Sequence, residues 1–184
     1  MRQIVYTRHH HPYSGISLIE LLVALTLLCL LTTLGMPSLG GMLEQRRLDA
    51  ARDQLATSIR LAREEAISRN QAVVMAPRNG LWSEGWHVFV DSNQNAQLDA
   101  GDTLLQEDVA AKVAVIRATG ELARYLRYNP MGESERVDGG FLAGTLRLCP
   151  ASPAQPGRRL IINRVGRLRS ESAALSADAC AATD

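Results

Sequence analysis

Residues 16–36 read ISLIELLVALTLLCLLTTLGM, 21 residues with a single charge, at Glu20. At a rise of about 1.5 Å per residue, a helix of this length spans roughly 30 Å, the thickness of a bilayer core. The stretch before it, residues 1–15, is polar and carries Arg2, Arg8, His9, His10 and His11. Positive charge on that flank holds the same end in the cytoplasm. A secretory signal places its small cleavage residue after the apolar run. Here the small residue, Gly15, stands before it. Cleavage at Gly15 therefore removes a polar leader and leaves the apolar helix on the mature chain.

Beyond the run the chain turns amphipathic. Leu48, Ala51, Leu55, Ile59, Ala62 and Ala66 recur at spacings of three and four, and the charges of this stretch fall mainly off that stripe. The pattern predicts a helix from about Ser38 to Asn70 that continues the first and bends at Pro37. From Gln71 the pattern becomes short β-like runs: Ala72–Ala76, Trp86–Val90, Val113–Arg117, Arg124–Tyr128, Thr145–Cys149 and Arg159–Val165, separated by Gly, Pro, Asn and Asp. The expected fold is α+β: a long amino-terminal helix, membrane half first and amphipathic half second, packed on an antiparallel sheet. With 184 residues the chain holds one ordinary domain plus that extension. Its 46% apolar and 21% charged residues exclude a disordered chain. A net charge of +1 excludes a uniformly basic nucleic-acid binder, though not a local basic patch.

Ser14-Gly15-Ile16-Ser17-Leu18-Ile19-Glu20 resembles the class III signal of type IV prepilins and pseudopilins. The resemblance implies that prepilin peptidase cuts between Gly15 and Ile16 and methylates the new amino terminus. The chain then divides into a leader (1–15), a transmembrane and filament-core helix (16–37) and a periplasmic head (38–184). A lone carboxylate in a membrane helix costs on the order of 3 kcal/mol and is functional by default. In a filament Glu20 can pair with the freed amine of a neighbouring subunit's Ile16. The bland alternative is an ordinary anchor whose glutamate sits near the interface. In the head, Gly85-Trp86-His87-Val88-Phe89-Val90-Asp91, Leu126-Arg127-Tyr128-Asn129-Pro130-Met131-Gly132 and Gly166-Arg167-Leu168-Arg169 are similar to the FimT/GspH group of minor pilins and minor pseudopilins. That group is not enzymatic and implies no cofactor. His87 is the only histidine outside the leader, and no Gly-x-Ser-x-Gly elbow is present.

Charge is segregated along the head. Residues 80–111 hold six acids and no Lys or Arg; residues 139–170 hold Arg147, Arg158, Arg159, Arg164, Arg167 and Arg169 and no acid. Gly166 permits a tight turn presenting Arg167 and Arg169, which on extended backbone project to one face. Two guanidiniums on one face suit adjacent phosphates, since each forks two N–H donors. Gly-Arg-x-Arg is similar to the element of FimT-type pilins that bind DNA. The resemblance implies DNA capture through Arg167 and Arg169, helped by Arg158, Arg159 and Arg164, during natural transformation. The alternative is that these arginines solvate a sheet edge or touch neighbouring pilins. Asp91, Asn93, Asn95, Asp99 and Asp102 resemble a calcium loop, but Ala96 stands where such a loop needs Gly, and an Asx-rich turn is the favoured reading. Cys149 and Cys180 lie in the implied periplasmic head and are expected to pair, contributing roughly 3 kcal/mol, whereas Cys29 lies in the membrane helix. The implied partners are DNA, other pilins, prepilin peptidase and the pilus assembly machinery. The implied location is the inner membrane, then a fibre at the surface of a Gram-negative cell. A structural pseudopilin of type II secretion, or a pilus-initiating subunit without a DNA role, is the alternative.

Overall fold

The computed structural model describes residues 15–110 and 115–181, except for the side chains of 32–39. Residues 1–14 of the expected leader and the side chain of Pro37, where a bend is expected, lie outside these. The chain divides into two compact units, residues 1–40 and 41–184. Helix α1 (Leu18–Arg69) supplies the described part of the first unit and opens the second. At its start the Ser17 hydroxyl accepts the Glu20 amide at 3.2 Å, a side-chain cap for an otherwise unpaired helix donor. Apart from Glu20 its first turns are almost wholly apolar and expose that surface: Leu18 is 84% and Leu31 69% accessible. Among the described residues no helix is long and apolar enough to cross a membrane. The last five side chains of the apolar run, 32–36, are outside the described set.

The second unit owns the core. Leu48, Ala51, Leu55, Ile59, Ala62 and Ala66 are all buried, so the stripe legible in the sequence is the packing face of α1. It shares one apolar cluster with two antiparallel four-stranded sheets. The first sheet contains β1 (Val73–Pro77), β2 (Trp86–Val90), β3 (Thr103–Asp108) and β5 (Leu126–Tyr128), in the order β3-β2-β1-β5. The second contains β4 (Ile116–Ala118), β6 (Gly144–Leu148), β7 (Gly157–Ile162) and β8 (Leu168–Ala173), in the order β4-β6-β7-β8. A short helix α2 (Ala177–Cys180) follows, and a Cys149–Cys180 disulfide ties it back to the end of β6.

The six expected strands are present: Trp86–Val90 keeps its expected ends, the others are displaced by a few residues, and positions 113 and 114 of the Val113–Arg117 run lie outside the described residues. The Arg124–Tyr128 run loses its first half because residues 120–123 form a 3-10 turn. Two strands were not anticipated. β3 and β8 are edge strands of sequence TLLQED and LRSESA, each hydrogen-bonded to one neighbour only. An edge facing water needs no apolar alternation; its pairing partner, not its composition, makes it a strand.

Candidate nucleic-acid interface

β7 and β8 form a hairpin whose connection carries the arginines of interest. The Gly166 amide donates to the Asn163 carbonyl at 2.9 Å, and the Arg167 amide to the Asn163 side-chain carbonyl at 2.9 Å. Gly166 has φ +76°, and a Cβ there would sit 2.1 Å from the Gly132 carbonyl oxygen. Glycine is thus needed twice over, for the left-handed backbone and for the close approach. The turns Asn129-Pro130-Met131-Gly132 and Gly166-Arg167, far apart in sequence, thus pack against each other. Three side chains bind them together. Arg63 of α1 donates to the Gly132 carbonyl at 2.8 Å and to that of Val165 at 3.4 Å. The buried Tyr128 hydroxyl donates to the Gly166 carbonyl at 3.3 Å. The Ser134 hydroxyl lies 2.8 Å from the Asn163 carbonyl. Burial pushes the Tyr128 phenol up, against a smaller opposing pull from Arg63, so it stays a neutral donor.

The arginines have different fates. Arg167 is exposed at the mouth of the hairpin. Arg169 is 70% exposed and pairs with Glu171 at 3.1 Å. Arg167 precedes β8 and Arg169 lies within it, so the extended backbone expected for both begins only after Arg167. Arg159 also pairs with Glu171, at 2.6 Å. Glu171 stands one residue beyond the acid-free stretch and sets two of its cations against one carboxylate. Arg164 lies over the Phe141 ring, 5.4 Å from its centroid, a cation–π contact on an exposed turn.

Arg158 corrects an expectation. It is buried on the core side of β7, with Nε 2.8 Å and Nη2 3.2 Å from the two Asp49 carboxylate oxygens of α1. The Arg158 guanidinium holds the Asp49 carboxyl below the usual carboxylate range, despite some desolvation. Sheet alternation turned neighbours Arg158 and Arg159 to opposite faces, so Arg158 ties helix to sheet and offers nothing to an external phosphate.

The acidic loop folds on itself. Asp91 accepts the amides of Asn95 and Ala96 at 3.1 and 3.0 Å, and Asp102 those of Ser92 and Asp99 at 2.9 and 3.1 Å. Asp99 accepts from the side-chain amides of Asn93 and Asn95 and from the Gly101 amide, which together hold its carboxyl below the ordinary range. This is Asx-turn geometry. Among the described residues no three acidic, His or Cys side chains converge as metal ligands.

Comparison with known proteins gives this architecture relatives. Residues 51–166 match the model of the family described as type II transport protein GspH. A pilin-like protein PilA1 of Thermus thermophilus is 37% identical over 165 residues, covering 85% of this chain and 97% of the relative. The type IV minor pilin FimU of Pseudomonas aeruginosa shares the fold in two crystal forms. In one, the TM-score is 0.55 at 24% identity over 70% of this chain and 90% of FimU; in the other, it is 0.51 at 22% over 67% and 91%. A helix stripe packed on two antiparallel sheets, a family match across most of the head and a pilin-like relative along most of the chain lead to one assignment: the chain belongs to the GspH family of minor pilins and pseudopilins.

Proposed function

We propose that this chain is a minor type IV pilin whose head binds DNA without sequence preference, through Arg167 and Arg169 at the β7–β8 turn, for uptake in natural transformation. The observation that carries the reading is the turn itself: an exposed Gly-Arg-x-Arg element braced by Arg63, Tyr128, Ser134 and Gly132. A braced turn presents its guanidiniums on a backbone that needs no further ordering on binding, which favours affinity per contact. Contacts to phosphates alone carry no sequence information and weaken with salt. A few such contacts per head give modest affinity, and several heads along a fibre raise it by avidity. The amino-terminal half fits the same reading. An apolar helix exposed all round needs lipid before assembly and other pilins after it; cleavage at Gly15 leaves Ile16 as the mature terminus and Glu20 to pair in the filament.

The family match to a type II transport protein favours a second reading, a structural subunit of a pilus or secretion pseudopilus without DNA contact. Titration of the oxidised full chain in nonionic detergent into labelled duplex DNA separates them. DNA capture predicts salt-sensitive binding that falls at least tenfold in a folded Arg167→Ala/Arg169→Ala variant. Absence of binding by the parent at low salt leaves the structural subunit.

A further inference from the structure

The second sheet carries a feature invisible in the linear sequence. Register sets Arg117 of β4 opposite Arg147 of β6, Arg147 opposite Arg159 of β7, and Arg159 opposite Glu171 of β8. Directly opposed residues in antiparallel strands share a face. One row of three guanidiniums and a carboxylate therefore crosses all four strands, and Arg169, opposite Ile161, lies in the adjacent row. Leu146, Leu148, Leu160 and Ile162 are buried, so the core takes the alternate positions and the arginine row faces outward.

Like charges directly opposite one another destabilise a sheet, and here there are three in succession. Internal compensation is sparse. Glu171 serves Arg159 and Arg169 together. Arg117 reaches the Cys180 carbonyl with Nε, at 3.5 Å. Arg147 has no hydrogen-bond or ion-pair partner among the described residues, and Arg159 Nε is buried without an acceptor. Among the described residues, four cations on this face answer to one carboxylate.

We infer that this outer face, through Arg117, Arg147 and Arg159, is a phosphate-binding surface on which the sugar–phosphate backbone of DNA lies across the strands, beside the β7–β8 turn. At a strand spacing of about 4.8 Å, Arg117 and Arg159 stand about 10 Å apart. Roughly three steps of about 3.4 Å axial rise cover that distance, so the row spans a short run of successive phosphates on one strand. Guanidiniums fork toward phosphate oxygens, and a polyanion supplies the charge the sheet leaves unanswered. Glu171 is then a competitor: by holding Arg159 and Arg169 it weakens the surface it sits on. The inference rests on the DNA-binding reading and extends it to residues on β4 and β6, outside the turn.

The test uses the oxidised full chain in nonionic detergent with a labelled 30-base-pair duplex, followed by anisotropy from low to moderate salt. Arg117→Gln/Arg147→Gln is expected to weaken binding about tenfold and to flatten the plot of log affinity against log salt by about two, at roughly 0.9 per phosphate contact. Glu171→Gln is expected to tighten binding about threefold, a gain that misfolding cannot imitate. Arg167→Gln tests the turn alone. If the parent binds and Arg167→Gln weakens it while the double variant and Glu171→Gln behave as the parent, the surface is overturned, the turn stands, and the arginine row is left for an acidic protein partner. If the parent does not bind at the lowest salt, the surface and the DNA reading fall together.

Discussion

At the scale of single residues, two neighbouring arginines show how little a side chain's identity says about its role. Arg158 and Arg159 differ by one step of a pleat. The first is sealed against Asp49; the second faces out beside Glu171. Asp49 has a depressed carboxyl pKa, so its contribution to stability is present above the ordinary carboxylate value and is lost as pH falls through the lowered one. Urea stability measured against pH should therefore decline below about pH 4 in the parent. It should decline less steeply in Asp49→Asn, which starts about 2 kcal/mol less stable at pH 7; the cost sits below that of a fully buried pair because Asp49 is 35% exposed. Equal slopes for the two proteins would remove Asp49 from the acid response.

At the scale of elements, α1 does two jobs with adjoining parts of one face of its second half. Its apolar stripe closes the core, and Arg63 reaches past that stripe to the carbonyls of Gly132 and Val165. The helix thereby fixes a hairpin turn 102 residues downstream. Arg63 has the same composition signal as the solvated arginines around it, and the stripe analysis leaves it among the charges off the packing face. Replacing it with methionine keeps the aliphatic stem and deletes the donors, at a cost of about 1 to 2 kcal/mol. Amide hydrogen exchange should then speed up in residues 163–167 and stay slow in β1. Unchanged exchange at the turn would mean that Tyr128 and Ser134 hold it unaided.

For the whole molecule, the two units differ in what they bury. Residues 41–184 bury their own core, while the start of α1 leaves its leucines uncovered. The Cys149–Cys180 bridge closes the carboxy-terminal end of the head across a separation of 31 residues, enclosing the β7–β8 hairpin. A loop of that length contributes about 3.5 kcal/mol by restricting the unfolded chain. Cys149→Ser/Cys180→Ser should lower urea stability by about that amount, and added reductant should have little further effect on the variant. A loss below about 1 kcal/mol would show that the tail is held by packing alone.

Some of this was determined by the linear sequence, because it depended on periodicity and local chemistry. An apolar run of fixed length, a glycine on the wrong side of it for ordinary secretion and a stripe at helical spacing need no tertiary partner to be read. Leu48 through Ala66 are buried where their spacing placed them, and Gly166 turns the chain as its position before Arg167 implied. Other features belonged to the tertiary structure. β3 and β8 are polar edges that exist because β2 and β7 present hydrogen-bonding groups to them. Arg158 turned inward because pleating alternates faces and Asp49 was waiting on the helix. Arg117, Arg147 and Arg159, scattered over more than forty residues, became one row through strand register, which is set by how separate segments pair and is written in none of them alone.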